Sequence, residues 1–377
     1  MRWSCFIVPV LCLLVCRALP GAGAPQLTLP PVWYGVPGVP VSFYYDNVVL
    51  TEHLEALRFE VKCDLGTAET RRWTVTPEDK DVGEHAMEVV VRDEAGKELE
   101  RARMLLKISP REAGAGRPLK LLIVGDSLTA ATVYPNELAR LLSLPGNPAW
   151  KMFGQHQPMA AQPGVAHEGY GGWTWAAFLT RHESKEEQTP DGRGWKKRSS
   201  PFVFLNDKEA PALDVGRYLR ETCGGEKPDV VTFLLGINDC FGANPEAPDK
   251  TIDTVLANAD QLIAAFREAS PGTAIAIGLT TPPNTREGAF QANYTGKYHR
   301  WGWKRIQHRL VQRQLEKFSN RENDQIFVVP TELNVDPLNG YPVNNAVHPN
   351  AEGYAQIGSS FYAWLKAWLA MQSGAAK

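Results

Sequence analysis

Two regimes of hydrophobic patterning divide the chain near residue 110. From residue 25 to about 109, apolar positions come in short runs of β-branched and aromatic residues with partial alternation, at 39–45, 57–62, 71–75, 86–92 and 103–108. Between them lie turn signals: Gly66-Thr67, the run from Thr76 to Asp79, and Asp93-Glu94-Ala95-Gly96. The last of these has an alternating run on each side and predicts a hairpin. No helical period appears in this region, so the expectation is a small all-β sandwich.

After a linker-like stretch at 110–118, rich in Gly and Pro, the pattern changes. Apolar runs at 119–124, 229–235, 274–279 and 325–329 have no polar alternation. Strands of this kind are buried on both faces. Between them the apolar spacing turns helical, over 136–144, 251–269, 298–318 and 352–371; Ile252, Val255, Leu256, Leu262, Ile263 and Phe266 show it best. Strands alternating with helices predict an α/β architecture, a doubly wound parallel sheet over 119–377. In such sheets the ligand crevice lies beyond the carboxyl ends of the strands. This half carries enough strands and helices to close a core without the sandwich.

Residues 1–24 read as a signal peptide rather than as fold: Arg2, an apolar stretch from Phe6 to Val15, then small residues at Ala22-Gly23-Ala24. The apolar stretch is too short to span a bilayer, and no later one is long enough. The expected product is secreted or periplasmic, without stable membrane insertion. The full chain of 377 residues is 44% hydrophobic and 22% charged, a globular balance. Lys+Arg total 40 against 42 Asp+Glu, which argues against nucleic acid as a partner. Cleavage would leave Cys63, Cys223 and Cys240. That set is too sparse for a disulfide framework; a Cys223–Cys240 bridge is conceivable, and three buried thiols are the better expectation. No spacing signals a metal, and no cofactor is expected.

Four short segments carry candidate chemistry. Gly125-Asp126-Ser127 ends the first buried strand. A Ser there can act as a nucleophile whose own N–H faces a developing oxyanion, or simply cap a helix. Gly236-Ile237-Asn238-Asp239 ends the second strand, where Asn238 could donate to an oxyanion or merely form a turn. Gly169-Tyr170-Gly171-Gly172 opens backbone N–H groups to the surface. His348 lies in the loop between the last strand and the last helix, at the same sheet edge as Ser127.

Taken together, in the order Ser, Gly, Asn, His, these segments resemble the SGNH, or GDSL, hydrolases over about residues 119–370. The resemblance implies a flavodoxin-like sheet, with the immunoglobulin-like sandwich at 25–109 outside the family domain. It implies Ser127 as nucleophile and His348 as general base. The oxyanion hole would be the Ser127 N–H, the Gly172 N–H (Gly171 being the nearest rival) and the Asn238 side chain. One position departs: the family's Asp, three residues before the His, is Asn345 here. Asn345, a backbone carbonyl or Asp336 could orient His348, and a Ser–His dyad held by an uncharged acceptor is favoured. The implied activity is hydrolysis of short acyl esters, with O-acetyl groups on carbohydrate as first choice. A general short-chain carboxylesterase and a silent glycan-binding protein are the alternatives. Trp173, Trp175, Trp301 and Trp303 are candidate sugar platforms, at least half of them expected in the core. The charged stretch 182–198 reads as a solvated loop, the basic positions of 299–313 as a solvated helix face, and Asn293-Tyr294-Thr295 is a formal glycosylation sequon.

Overall fold

A computed structural model describes residues 25–189 and 195–374. The expected leader, 1–24, and the centre of the charged stretch, 190–194, lie outside the described residues.

The N-terminal strands form two sheets. One runs in the order Val32–Gly35, Glu98–Ile108, Gly83–Arg92, Arg58–Lys62; the other is Val41–Tyr44, Arg72–Val75, Thr67–Ala68. Their inward positions meet in one core, with Trp33, Met87, Val89, Val91 and Leu106 from the first sheet and Phe43 and Trp73 from the second. The expected hairpin is present: Gly96 N–H donates to the Asp93 carbonyl (3.0 Å), and the Asp93 side chain accepts from Lys97 N–H (2.8 Å). The Val32–Gly35 strand, absent from the sequence reading, pairs parallel with Glu98–Ile108.

The second half is the expected α/β unit. Its parallel sheet runs Glu168–Gly169, Pro118–Gly125, Val230–Leu234, Ala274–Gly278, Ile326–Val329, with Ala149–Phe153 also pairing Pro118–Gly125. The three innermost of these strands are buried almost throughout, as helices on both faces require. One helical group contains Val133–Leu142 and Ala351–Gly374; the other contains Trp175–Thr180, Asp249–Ala269 and Arg300–Phe318.

The halves share a surface. Tyr34, Val36 and Val39 join the α/β core, while Leu333 inserts into the sandwich core. Asn47 donates to the carbonyls of Glu332 (2.7 Å) and Val335 (2.9 Å), and Ser42 N–H donates to the Asn334 side chain (2.9 Å). Lys304, expected on a solvated face, is buried against Asp46. Its neighbours Arg305, Arg309 and Arg313 are paired with Glu246, Asp249 and Asp253. Between the halves, residues 110–117 form successive turns anchored by Lys366, whose ammonium donates to the Ala113 carbonyl (2.6 Å). Cys63, Cys223 and Cys240 are all unpaired; Cys63 is half-buried rather than buried.

Candidate active site

The strand ends bring the candidate residues together. Gly125, the last residue of its strand, pairs with Leu234 on one side and Gly169 on the other. Ser127, the Gly171-Gly172 turn and Asn238 therefore leave three adjacent strands at one carboxyl edge. Gly125 is required by close approach, since a Cβ there would meet Thr129 Oγ1 at 1.9 Å and the Leu234 carbonyl at 2.9 Å. Asp126 caps the short Ser127–Ala130 helix by accepting from Leu128 N–H (2.9 Å). Ser127 is thus the first residue of a helix rather than its cap.

Tyr170 to Trp173 form a tight turn, with Trp173 N–H donating to the Tyr170 carbonyl (3.2 Å). Gly172, at its third position, has φ +76°, a backbone state natural to glycine there. Both Gly171 and Gly172 are exposed. Asn238 donates from Nδ2 to the Trp173 carbonyl (3.0 Å), and Asp239 accepts from Trp175 N–H (3.0 Å). Asn238 and Asp239 therefore tie the second and third candidate segments to each other.

His348 reaches the same edge from the last loop. Its Nε2 lies 2.9 Å from Ser127 Oγ. Asn345 Oδ1 accepts from Val347 N–H (3.1 Å) and His348 N–H (2.9 Å), and it lies 3.3 Å from His348 Nδ1. The two backbone donors decide which end of the amide is oxygen, because an NH₂ group there would face two N–H groups. That oxygen can only accept, so Nδ1 carries the hydrogen and Nε2 presents a lone pair to the Ser127 hydroxyl. A charge-free residue thereby selects the tautomer whose Nε2 lone pair faces the Ser127 hydroxyl. The orienting bond is long, and its acceptor is shared among three donors. Burial pushes the His348 pKa below the ordinary imidazole value.

Asp336 does not take part. Its carboxylate pairs with Arg71 (2.5 Å) and accepts from the N–H groups of Leu338 (2.8 Å) and Asn339 (3.0 Å), which corrects its candidacy as partner of His348. These donors hold its pKa below the usual carboxylate value despite burial.

The sequence reading missed the supports. Asn284, fully buried, donates from Nδ2 to the carbonyls of Pro342 and Asn345 (both 2.9 Å) and from its backbone to Ala346 (2.8 Å). It clamps the loop that presents Asn345 and His348. Glu168, just before the Gly171-Gly172 turn, accepts from Tyr170, from Tyr218 (2.8 Å) and from Gln155 N–H (2.8 Å). Arg198, expected in a solvated loop, is buried, with its guanidinium 4.7 Å from the Tyr170 ring centroid. Under the site, desolvation pushes the Asp126 and Asp239 carboxyls up to about 7. Asp126 and Asp239 lie inside segments already singled out in the sequence, beside Ser127 and Asn238, and Glu168 directly precedes the third. Asn284 and Arg198 lie in no motif. Trp173, Trp175 and Trp303 are core residues, and Trp301 is half-buried. Among the described residues, no cluster of His, Cys, Asp and Glu is suited to a metal ion.

A family model described as GDSL-like lipase/acylhydrolase matches residues 123–356, from the strand before Ser127 to beyond His348. The chain belongs to the GDSL-like lipase/acylhydrolase family. This GDSL-like protein is accordingly a carboxylic ester hydrolase acting on a small-molecule ester. No curated protein matches it in sequence. Similar solved structures include a carbohydrate esterase family 3 protein from Talaromyces cellulolyticus, with 17% identity, 67% of this chain and 98% of that one covered, and a TM-score of 0.39. Others are a family 3 carbohydrate esterase from Clostridium thermocellum (17%, 67% and 98%, TM-score 0.40) and a carbohydrate acetylesterase family member from Sinorhizobium meliloti (17%, 67% and 99%, TM-score 0.40). No helix among the described residues of this GDSL-like hydrolase is long and apolar enough to cross a membrane.

Proposed function

We propose that this ester hydrolase is exported and removes O-acetyl groups from carbohydrates through a Ser127–His348 dyad. The observation that carries the mechanism is the 2.9 Å contact between Ser127 Oγ and His348 Nε2, with Nδ1 of the same ring facing an acceptor oxygen. Ser127 Oγ attacks the acyl carbon while His348 Nε2 takes its proton. The carbonyl oxygen, now negative, is held by the Ser127 N–H, the Gly172 N–H and the free hydrogen of the Asn238 amide. His348 returns the proton to the departing alcohol. Water then attacks the acyl-enzyme by the same path and releases acetate. Asn345 keeps the ring in its working tautomer but supplies no charge to the imidazolium, which sets a slower chemical step than a full triad would give.

Export rests on the leader pattern of residues 1–24. The sugar preference rests on an open edge, where Gly171 and Gly172 are exposed. Acetate release from acetylated xylo-oligosaccharides by the wild type, lost in Ser127→Ala, tests the proposal. Turnover of simple acetate esters with none of acetylated sugars would instead make it a general short-chain carboxylesterase. Full activity in Ser127→Ala would refute the dyad.

A further inference from the structure

An aromatic cluster connected to the Asn238 and His348 loops has no part in the chemistry described above. Phe241, three residues after Asn238, has its ring centroid 5.6 Å from Tyr294 and 4.9 Å from Trp303. Tyr298 lies 5.4 Å from Trp303, and its hydroxyl accepts from Gly242 N–H. Trp303 is buried and supports the group from behind, while Phe241, Tyr294 and Tyr298 keep part of their surface exposed. The residue before Tyr294, Asn293, donates from its side chain to the Asn344 carbonyl. Tyr294 is thus bracketed, by the Asn238 loop through Phe241 and by the His348 loop through Asn293 and Asn344. The Tyr294 hydroxyl has no hydrogen-bond partner among the described residues, and desolvation pushes its pKa up to about 12.

The chemistry assigns a direction to this cluster. The departing alcohol receives its proton from His348 Nε2 and so lies on the His348 side of Ser127, and the cluster is tied to the His348 loop through Asn293 and Asn344. A half-exposed aromatic face rimmed by exposed amides, Asn293 and Asn344, fits a ring that is apolar on one face and hydroxylated at its edge. We infer that Tyr294, backed by Phe241, forms a subsite for the alcohol side of the substrate and stacks against the pyranose ring that carries the ester. This rests on the esterase reading above and extends it to a specificity-determining residue.

The test compares two acetate esters that share the acyl-enzyme and differ in the alcohol: methyl β-xylopyranoside triacetate and ethyl acetate. Tyr294→Ala is expected to raise KM for the sugar ester about tenfold, with little change in kcat, and to leave kcat/KM for ethyl acetate within about threefold. Tyr294→Phe keeps the ring and should keep the preference. An equal loss on both esters, or an unchanged KM for the sugar ester, would overturn the subsite. Binding is measured separately, by ligand-detected NMR with the sugar ester and the Ser127→Ala protein, where no turnover is needed. Signal in Ser127→Ala that is lost in Ser127→Ala/Tyr294→Ala supports the subsite even if the wild type hydrolyses neither ester, a result that would sink the esterase reading alone. Equal signal in both, or none in either, overturns the subsite.

Discussion

Replacing Asn345 with Asp puts a charge where the family's triad has one and leaves the loop intact. A carboxylate at 345 can still accept from Val347 N–H and His348 N–H, as the amide oxygen does. At the observed 3.3 Å from His348 Nδ1, one negative charge attracts an imidazolium by about 5 kcal/mol at an effective dielectric of 20. Solvent around the half-buried ring reduces this to about 2 kcal/mol. If all of it reaches the transition state, kcat rises roughly thirtyfold. The same energy moves the acid limb of the rate profile to higher pH by about 1.5 pH units. The sign is fixed by the role: His348 must be neutral to accept the Ser127 proton, so activity falls as pH drops through its pKa. In the wild type, burial lowers that pKa and no carboxylate raises it, so activity should persist into mildly acidic solution. Asn345→Asp should be faster at neutral pH and should fail sooner on acidification. The assay is kcat/KM for acetate release between pH 4 and 8, with Asp336→Asn as the control expected to leave the limb in place. An unmoved limb with unchanged kcat in Asn345→Asp, or a large loss of kcat in Asp336→Asn, would refute the assignment of the orienting acceptor.

Gly172→Ala, forced to keep φ +76°, should lower kcat by roughly tenfold or more through a misaligned N–H, whereas Gly171→Ala should be tolerated; kinetics on one acetate ester decide between the two glycines. Glu332, buried at the contact between the halves with neither carboxyl oxygen paired, has its pKa pushed up to about 8 by desolvation. Its raised value favours the folded state at low pH and is lost as pH rises through about 8, so Glu332→Gln should gain roughly 4 kcal/mol at pH 8 and almost nothing at pH 4; thermal melts at both pH values read this. Against the expectation that 119–377 closes a core without the sandwich, such a fragment uncovers the surface that Tyr34, Val36 and Val39 cover and leaves Leu333 exposed, so it should aggregate on size-exclusion chromatography where the longer chain does not.

What the sequence revealed, and what it hid, follows from how far each signal reaches along the chain. Apolar runs such as 121–124 and 274–279 report burial on both faces locally, and both became central strands. The helices were legible from spacing alone, as at Asp249–Ala269. The Val32–Gly35 strand was not, because four residues carry too little pattern and its parallel partner is some seventy positions away. At the site, Ser127, Asn238 and His348 stood out because each follows a strand end or precedes a helix, while their roles, and the choice of Gly172, came from the resemblance to the GDSL hydrolases. An uncharged acceptor on His348 Nδ1 was favoured, but the sequence could not decide between Asn345 and a backbone carbonyl, nor show that Arg71 from the sandwich takes Asp336. The same reason hid Asn284, Arg198 and the buried state of Lys304: their partners come from distant segments. Trp173, Trp175 and Trp303 lie in the core, in line with the expectation that at least half of the four tryptophans would, because large aromatic rings gain most from burial; partly exposed aromatic rings are found at Phe241, Tyr294 and Tyr298.

The central claim is that Ser127, activated by His348, is the nucleophile. Reaction with a fluorophosphonate, followed by intact mass and peptide mapping, addresses it directly. One phosphonyl adduct per chain on Ser127, formed far more slowly in His348→Ala and absent in Ser127→Ala, is the predicted result. An adduct on another residue, or an unlabelled wild type that still hydrolyses acetate esters, would contradict it.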